Sequence, residues 1–471
     1  MERARPFLPR LALLGVAFAV LLLALTTRVP KWLTDFDQGF YITIAYDIDR
    51  HGVFSNGPFD QTDSTVATPP PGMFFGPVYP ALVYAAMQVD PRFERAVACA
   101  LEAQQKRRDY RTCEVYALPI HLLHAFLLAL GVVAIGNAAR IIAGGWIAFW
   151  GAGGTALAGL LFEADLFSFI MTESLSFSFY SVTTALLIAG FSCGRRVFFI
   201  AAGCALAILC LTRASYLVLV PATALLILGA GFFNLATTRI GWRHAALFVA
   251  AFLLVFTPWI VRNAVSLQKI AVTEEYGSAS LVERFAFNTM TLKEFTLAFG
   301  YCVPGIGPLA VNALAGDGAM SRFEWDAPGS FFAEGRARRN ALTAQHQKLD
   351  PIMSGLLRDE LSQNGWRHVA VAIPLAWCGA WVSGPWSLVF LPLFVAALVM
   401  TLRRRDPRLL LYAAPGLVML ALHAGLANHY PRYNLGLIGP YAVGAAWLAL
   451  TLARSRESAS HLRSQSRARA P

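Results

Sequence analysis

The sequence predicts an all-α integral membrane protein with about ten transmembrane helices and two large exoplasmic loops containing interfacial helices. Three observations predict it. Hydrophobic residues make up 56% of the 471 residues, charged residues only 14%, and the mean hydropathy is +0.53. A soluble domain carries nearer a quarter charged residues. Apolar runs close to bilayer length recur along the chain, and the hydrocarbon core needs about 20 apolar residues per helix. The basic residues, which give a net charge of +11, fall at the chain ends and in short connections. That distribution is a topology signal rather than a nucleic-acid surface, so no nucleic acid is expected as partner.

The first span covers 9–27. Arg3, Arg5 and Arg10 precede an apolar run at 11–25, as in a signal peptide. No small-x-small cleavage site follows, so the run reads as an uncleaved first helix. Further spans fall near 116–137, 145–162, 173–191, 197–212, 215–233, 245–262, 386–402, 409–427 and 434–452. The N-terminal arginines, Arg195-Arg196, Arg239 with Arg243, Arg403-Arg404-Arg405 with Arg408, and the tail arginines then share one side. The excess of Lys and Arg makes that side the cytoplasm. Ten crossings put both termini there, provided that 366–383 lies at the interface or opens the next span.

The chain divides into an N-terminal transmembrane module (1–262) that includes an exoplasmic loop (28–115), an exoplasmic loop (263–366), a C-terminal transmembrane module (367–453) and a basic, unstructured cytoplasmic tail (454–471). The first loop holds a helix near 38–50, a turn region broken by Pro69-Pro70-Pro71-Gly72 and Gly76-Pro77, and a second helix at 80–89. In the second loop, the apolar stretch 295–310 lies along the membrane. Cys193, Cys204, Cys210 and Cys378 read as small apolar fillers. A Cys99–Cys113 disulfide is one reading of two cysteines in an oxidising compartment.

Asp35 and Asp37 stand just after the first span. An Asp before a helix can cap free backbone amides, take a proton, or hold a metal. Asp37, Tyr41 and Ala45 share one helix face at i, i+4, i+8. Asp35-Phe36-Asp37 also fits an Asp-x-Asp pattern, so a divalent metal on oxygen ligands is one possibility. His121 and His124 share a face but have no carboxylate nearby, and they read as packing or polar contacts. Glu163 and Asp165 are alternatives to Glu173 as an acidic group at this level. Gly151-Ala152-Gly153-Gly154 reads as close helix packing. With no phosphate-cradling loop on the cytoplasmic side, a nucleotide-sugar donor is disfavoured.

Asp37-Gln38-x-x-Tyr41-x-x-x-Ala45, then His51-Gly52, then Pro77-x-Tyr79-Pro80, resembles the first exoplasmic loop of the C-type (GT-C) membrane glycosyltransferases. That superfamily includes aminoarabinose transferases and protein O-mannosyltransferases. Thr172-Glu173-Ser174-Leu175, Leu211-Thr212-Arg213, Pro258-Trp259-Ile260-Val261-Arg262-Asn263 and His429-Tyr430-Pro431-Arg432-Tyr433 resemble its later motifs in the same order. One departure stands out: Gln38 replaces the usual Glu after the Asp.

The resemblance implies transfer of a sugar from a polyprenyl-phosphate donor to a lipid, glycan or protein acceptor, with inversion, at the outer face of the inner membrane. It implies Asp37 as general base. Arg262, Arg432, Arg213 and His429 would hold the donor phosphate, since arginine binds phosphate through paired, charge-assisted hydrogen bonds. Asp35, Tyr41, Glu173 and Tyr433 would support them. No cofactor is otherwise expected, and membrane lipids are partners. An O-antigen ligase or polymerase, or a transporter of an anionic lipid-linked glycan, are the alternatives. A transporter calls for ionisable groups near the bilayer midplane, whereas these lie at one face.

Overall fold

The structure, a computed structural model, describes residues 7–28, 31–59, 68–106, 108–233, 235, 238–316, 318–427 and 430–468. It is all-helical among those residues. The helices are α1 (Leu8–Thr26), α2 (Gln38–His51), α3 (Val78–Val89), α4 (Pro91–Gln105), α5 (Leu118–Ile142), α6 (Gly145–Phe162), the single turn α7 (Ala164–Phe167), α8 (Glu173–Cys193), α9 (Arg196–Thr212) and α10 (Leu219–Phe232). They continue with α11 (Trp242–Leu267), α12 (Tyr276–Phe285), α13 (Leu292–Tyr301), α14 (Ile306–Ala315), α15 (Phe331–His346), α16 (Met353–Ala380), α17 (Pro385–Arg403), α18 (Arg408–Leu426) and α19 (Ile438–Ala468).

Nine stretches among the described residues are helical, long and apolar enough to cross a membrane: α1, α5, α6, α8, α10 with its 3-10 lead-in, α11, α17, α18 and the stretch Pro431–Glu457, which takes in the first two thirds of α19. The tenth expected span, α9, is apolar but one residue shorter than the shortest of these, at 17 residues. It is buried between α8 and α11, and its Gly203 lets α11 come close. The chain is a multi-pass membrane protein.

The remaining helices gather at one end of this bundle as a cap. The N-terminal part, α2–α4, closes its own apolar cluster around Tyr41, Ile42, Tyr79, Val83, Phe93 and Val97. The C-terminal part, α12–α16, closes another around Phe287, Phe323, Phe331, Phe332 and Leu375. Local signals start and stop these helices. Asp90 caps α4 through the Arg92 amide. Thr291 and Glu294 form a reciprocal capping box on α13, which satisfies amides that have no intrahelical partner. Gly52, at φ +65°, lets α2 end in a left-handed turn.

Four expectations change. The helix α16 runs through the expected boundary at 366/367 and ends beside the first turn of α17, where Gly379 meets Leu420 of α18 and Asn434. Its last turns pack along the C-terminal half of α18. The first loop carries an additional helix, α4. The tail expected to be unstructured continues α19 as helix to Ala468. Cys378, read as an apolar filler, is bonded to Cys302, and Cys99 is bonded to Cys113.

Candidate active site

Asp37 occupies the N-cap position of α2, but its carboxylate makes no capping bond. Only its backbone carbonyl does the local work, accepting from the Phe40 amide at 3.2 Å. The carboxylate instead faces Arg432, Oδ2 to Nη2 3.4 Å, with the Asp37 side chain 45% exposed. Phe36, the residue before it, is held at φ +53° and is 77% exposed. A left-handed backbone costs a non-glycine residue about 1–2 kcal/mol, and strain of this kind concentrates at functional sites.

Gln38 explains its own departure from the glycosyltransferase pattern. Its buried amide donates to the Trp32 and Asp35 carbonyls, at 3.0 and 3.2 Å, and accepts from the Ile170 amide at 2.8 Å. A glutamate could accept but not donate. The side chain thus ties the Asp37 turn to the link before α8. One turn on, Tyr41 packs edge-on to Tyr79 at 5.0 Å between ring centres. Burial first, and the Glu173 carboxylate second, push the Tyr41 hydroxyl well above its ordinary range.

Glu173 opens α8 and is 4% exposed. It pairs with Arg213, Oε1 to Nη1 3.3 Å, from the break between α9 and α10. The Arg213 guanidinium lies 5.1 Å from the Tyr433 ring centre, and that of Arg432 lies 5.4 Å from the same ring. Tyr433 therefore separates two cations, each with its own carboxylate. His423 of α18 backs Tyr433 at 5.4 Å and donates from Nδ1 to the Asn434 side-chain oxygen at 3.0 Å.

Two cavities meet at these residues. The inner one, of about 390 Å³, lies at the bundle end among Asp37, Tyr41, Glu173, Arg213, His423 and Tyr433, with Leu422 and Leu426 of α18 on one wall. The outer one, of about 670 Å³, lies under the cap among Asp37, Trp325, Arg336, Arg339, Tyr430, Arg432 and Tyr433. Asp37, Phe74, Phe75, Tyr276, Ser280 and Tyr433 line both. The aromatic pair Phe74-Phe75 is positioned by Gly76, where a Cβ would stand 2.1 Å from the Leu211 carbonyl oxygen. Only glycine lets the proline-rich turn sit this close to the end of α9. A carboxylate between two pockets, with a cation on either side, can take a proton from one bound molecule while the cations offset charge on another.

The expected residues divide. Asp37, Arg213, Arg432, Tyr41, Glu173 and Tyr433 come together. Arg262 does not line either cavity. Its Nη1 donates to the Gly72 carbonyl at 2.6 Å and its Nη2 to the Phe54 carbonyl at 3.1 Å, while its guanidinium lies against Trp259. It ties α11 to the proline-rich turn, and its terminal nitrogens are spent there. Asp35 turns away and accepts from the Tyr110 hydroxyl at 3.3 Å. His429 lies outside the described residues. Asp165 pairs with Arg28 at 3.4 Å. His124 donates to the Phe167 carbonyl and accepts from the buried Tyr79 hydroxyl, and His121 is bonded to the Ser168 carbonyl.

Among the described residues, Asp35 and Asp37 belong to no group of three close ligands; the one such group is Glu274, Glu275 and Asp350. Glu274 pairs with Lys269 and Lys348, and the other two cap each other's chain. Glu275 accepts from the Leu349 and Asp350 amides, and Asp350 accepts from the Glu275 amide and Ser278.

His423, Tyr276, Trp325, Arg336 and Arg339 were not singled out from the sequence. His423 carried a signal, an ionisable residue in the last turn of an apolar span. The other four lie in the loop 263–366, where nothing in local spacing marks them.

No family model matches the sequence, and no curated protein does. Among solved structures the chain is similar to the crystal structure of ArnT from Cupriavidus metallidurans bound to undecaprenyl phosphate. The identity is 17% and the TM-score 0.38, over 92% of this chain and 77% of that one. The apo structure of the same protein gives 17% and 0.34, over 94% and 78%.

Proposed function

We propose that this protein is an inverting membrane glycosyltransferase that moves a sugar from a polyprenyl-phosphate carrier to an acceptor. One observation carries the reading: Asp37 stands where an arginine-bearing cavity at the bundle end opens into a second, larger cavity under the cap. The motif resemblance to GT-C enzymes supports it independently. The donor lies in the inner cavity, with Arg213 on its phosphate and its isoprenoid chain running past Leu422 and Leu426; the phosphate sits at the mouth shared with the outer cavity, where Arg432 reaches it beside Asp37. At 3.4 Å the Asp37–Arg432 pair is looser than the 2.7–2.9 Å or so of a strong charge-assisted bond. A phosphate can therefore replace Asp37 on Arg432 and free the carboxylate.

In the transfer step the acceptor oxygen or nitrogen attacks the anomeric carbon. The new bond forms as the bond from that carbon to the phosphate oxygen breaks, and its electron pair leaves on the polyprenyl phosphate. The acceptor proton passes to Asp37. Preorganised cations at the departing phosphate are often the largest catalytic contribution. Glu173 keeps Arg213 in place.

Two features support an active site on the exoplasmic side of the inner membrane. Both disulfides belong to the cap or its junction with the bundle, and disulfides persist in oxidising compartments. The arginine-rich connections lie at the opposite end.

The test is turnover by the purified full-length protein in lipid nanodiscs, with a panel of polyprenyl-phosphate sugars and a mixed acceptor extract from cell envelopes. Release of free polyprenyl phosphate matched by a glycosylated acceptor is the expected result. Tight donor binding with no release in any combination would count against an enzyme and for a lipid-glycan transporter.

A further inference from the structure

We infer that the outer cavity is the acceptor site and that the acceptor carries a phosphate or carboxylate group beside the atom to be glycosylated. The inference rests on the reading of Asp37 as proton acceptor in a glycosyl transfer. Three arginines line this cavity: Arg336 and Arg339 from α15, and Arg432. Two have carboxylate partners, Arg339 with Glu283 and Arg432 with Asp37. Arg336 has no carboxylate within ion-pair distance among the described residues.

Arg432 serves the donor phosphate; of the other two, Arg336 has a buried guanidinium nitrogen, Nη1, with no hydrogen-bond partner among the described residues. Leaving a buried donor unsatisfied costs about 1–3 kcal/mol, more for a charged one, and ligand oxygens would remove that cost. Arg336 is also held in place for the task. Its Nη2 donates to the Trp325 carbonyl at 2.8 Å, and its guanidinium lies 4.2 Å from the Trp325 ring centre. A fixed planar fork with free N–H groups suits the paired oxygens of a phosphate or carboxylate.

The same charge does not belong to the donor. Arg336 and Arg339 line the outer cavity and not the inner one. The apolar wall that suits an isoprenoid chain, Leu422 and Leu426, lines only the inner one. An anion held by Arg336 thus sits on the far side of Asp37 from the donor phosphate, where the attacking group must come from.

The test measures binding to the full-length protein in nanodiscs of neutral lipid. The probes are glucose, glucose 6-phosphate, glucuronate and octyl glucoside 6-phosphate, with decaprenyl phosphate reporting the inner cavity. The charged sugars should bind about tenfold or more tightly than glucose, the scale of one or two charge-assisted hydrogen bonds. Arg336→Ala should remove most of that preference, and Arg336→Lys should keep part of it. Decaprenyl phosphate should bind both variants about as well as wild type, which also reports that they fold. Preference confined to the octyl-borne probe assigns a lipid-borne acceptor; preference for the soluble sugars as well assigns a free anionic sugar. Equal binding of charged and neutral sugars would overturn the inference. So would loss of decaprenyl phosphate binding in Arg336→Ala to the same degree as the sugars, because the arginine would then serve the donor. Failure of the wild type to bind decaprenyl phosphate would instead sink the glycosyl-transfer reading, and the acceptor role with it.

Discussion

In the bundle, helices approach through small residues and apolar contact; in the cap, they are tied by buried charge and covalent bonds. At Gly203 a Cβ would stand 2.3 Å from the Phe248 carbonyl oxygen, so α9 and α11 meet nearly backbone to backbone. Arg284 marks the other regime. It is fully buried in the cap, donating to the Ala424 and His368 carbonyls and to the Asn288 side chain at 2.8–3.1 Å. Burial pushes its pKa down to about 10, which leaves it a cation at neutral pH. It sits at the C-terminal end of α18, where a positive charge is favoured. Asn288 passes the network to Glu360, which Arg338 also holds. Burial pushes the Glu360 carboxyl up, but these hydrogen bonds outweigh it and keep it below its ordinary range. The difference teaches where chemistry can be placed. Lipid allows the bundle little polar linkage, so the groups that must hold exact positions lie in the cap and at the bundle end beneath it, where Glu173 pairs with Arg213.

The contrast can be broken most sharply at Arg284. Arg284→Ala strands a buried network and should cost about 3–5 kcal/mol, read as early loss of cap resistance to protease while the bundle stays helical by circular dichroism. Removing the Cys99–Cys113 bond by paired serine substitution opens a loop with a sequence separation of 14. It should cost about 3 kcal/mol and loosen α4 in hydrogen exchange. Gly203→Ala tests the bundle in turn. Crowding the α9–α11 contact should cost about 1–3 kcal/mol, seen as a lower melting temperature with no change in cap proteolysis.

A smaller effect follows from His368 on α16. It donates from Nε2 to the Gly425 carbonyl and accepts from Asn288 at Nδ1, so it is neutral in the folded cap. Burial first, and Arg284 beside it, hold its pKa below the ordinary value. The unfolded chain therefore takes up a proton that the folded chain does not. Cap stability should fall as pH drops below about 6.5 and level off once the folded pKa is passed. His368→Gln should flatten that acid slope in melting curves.

The same contrast decides what was legible in the sequence. Nine of the ten apolar runs appear as full-length spanning helices and the tenth as a slightly shorter one, because period and length report burial in lipid directly. The helix α2 and its Asp37, Tyr41 and Ala45 face were legible for the same reason: an i, i+4 pattern is local. Arg262 and Arg432 looked alike in the sequence, each at the outer end of a span in an Arg-bearing motif. What separates them is which carbonyls lie nearby in space, Gly72 and Phe54 for Arg262. Cys378 lies 76 positions from Cys302, and Arg336 owes its place to Trp325 and the packing of α15. Neither partnership leaves a mark in local spacing.

The central claim is that Asp37 takes the acceptor proton while the arginines hold the donor. Single-turnover transfer with donor already bound tests it most directly, comparing wild type with Asp37→Asn. The account predicts donor affinity within about twofold of wild type and transfer slower by about 10²–10⁴-fold, the range of a general base. Transfer at the wild-type rate in Asp37→Asn, with donor bound as tightly, would contradict it.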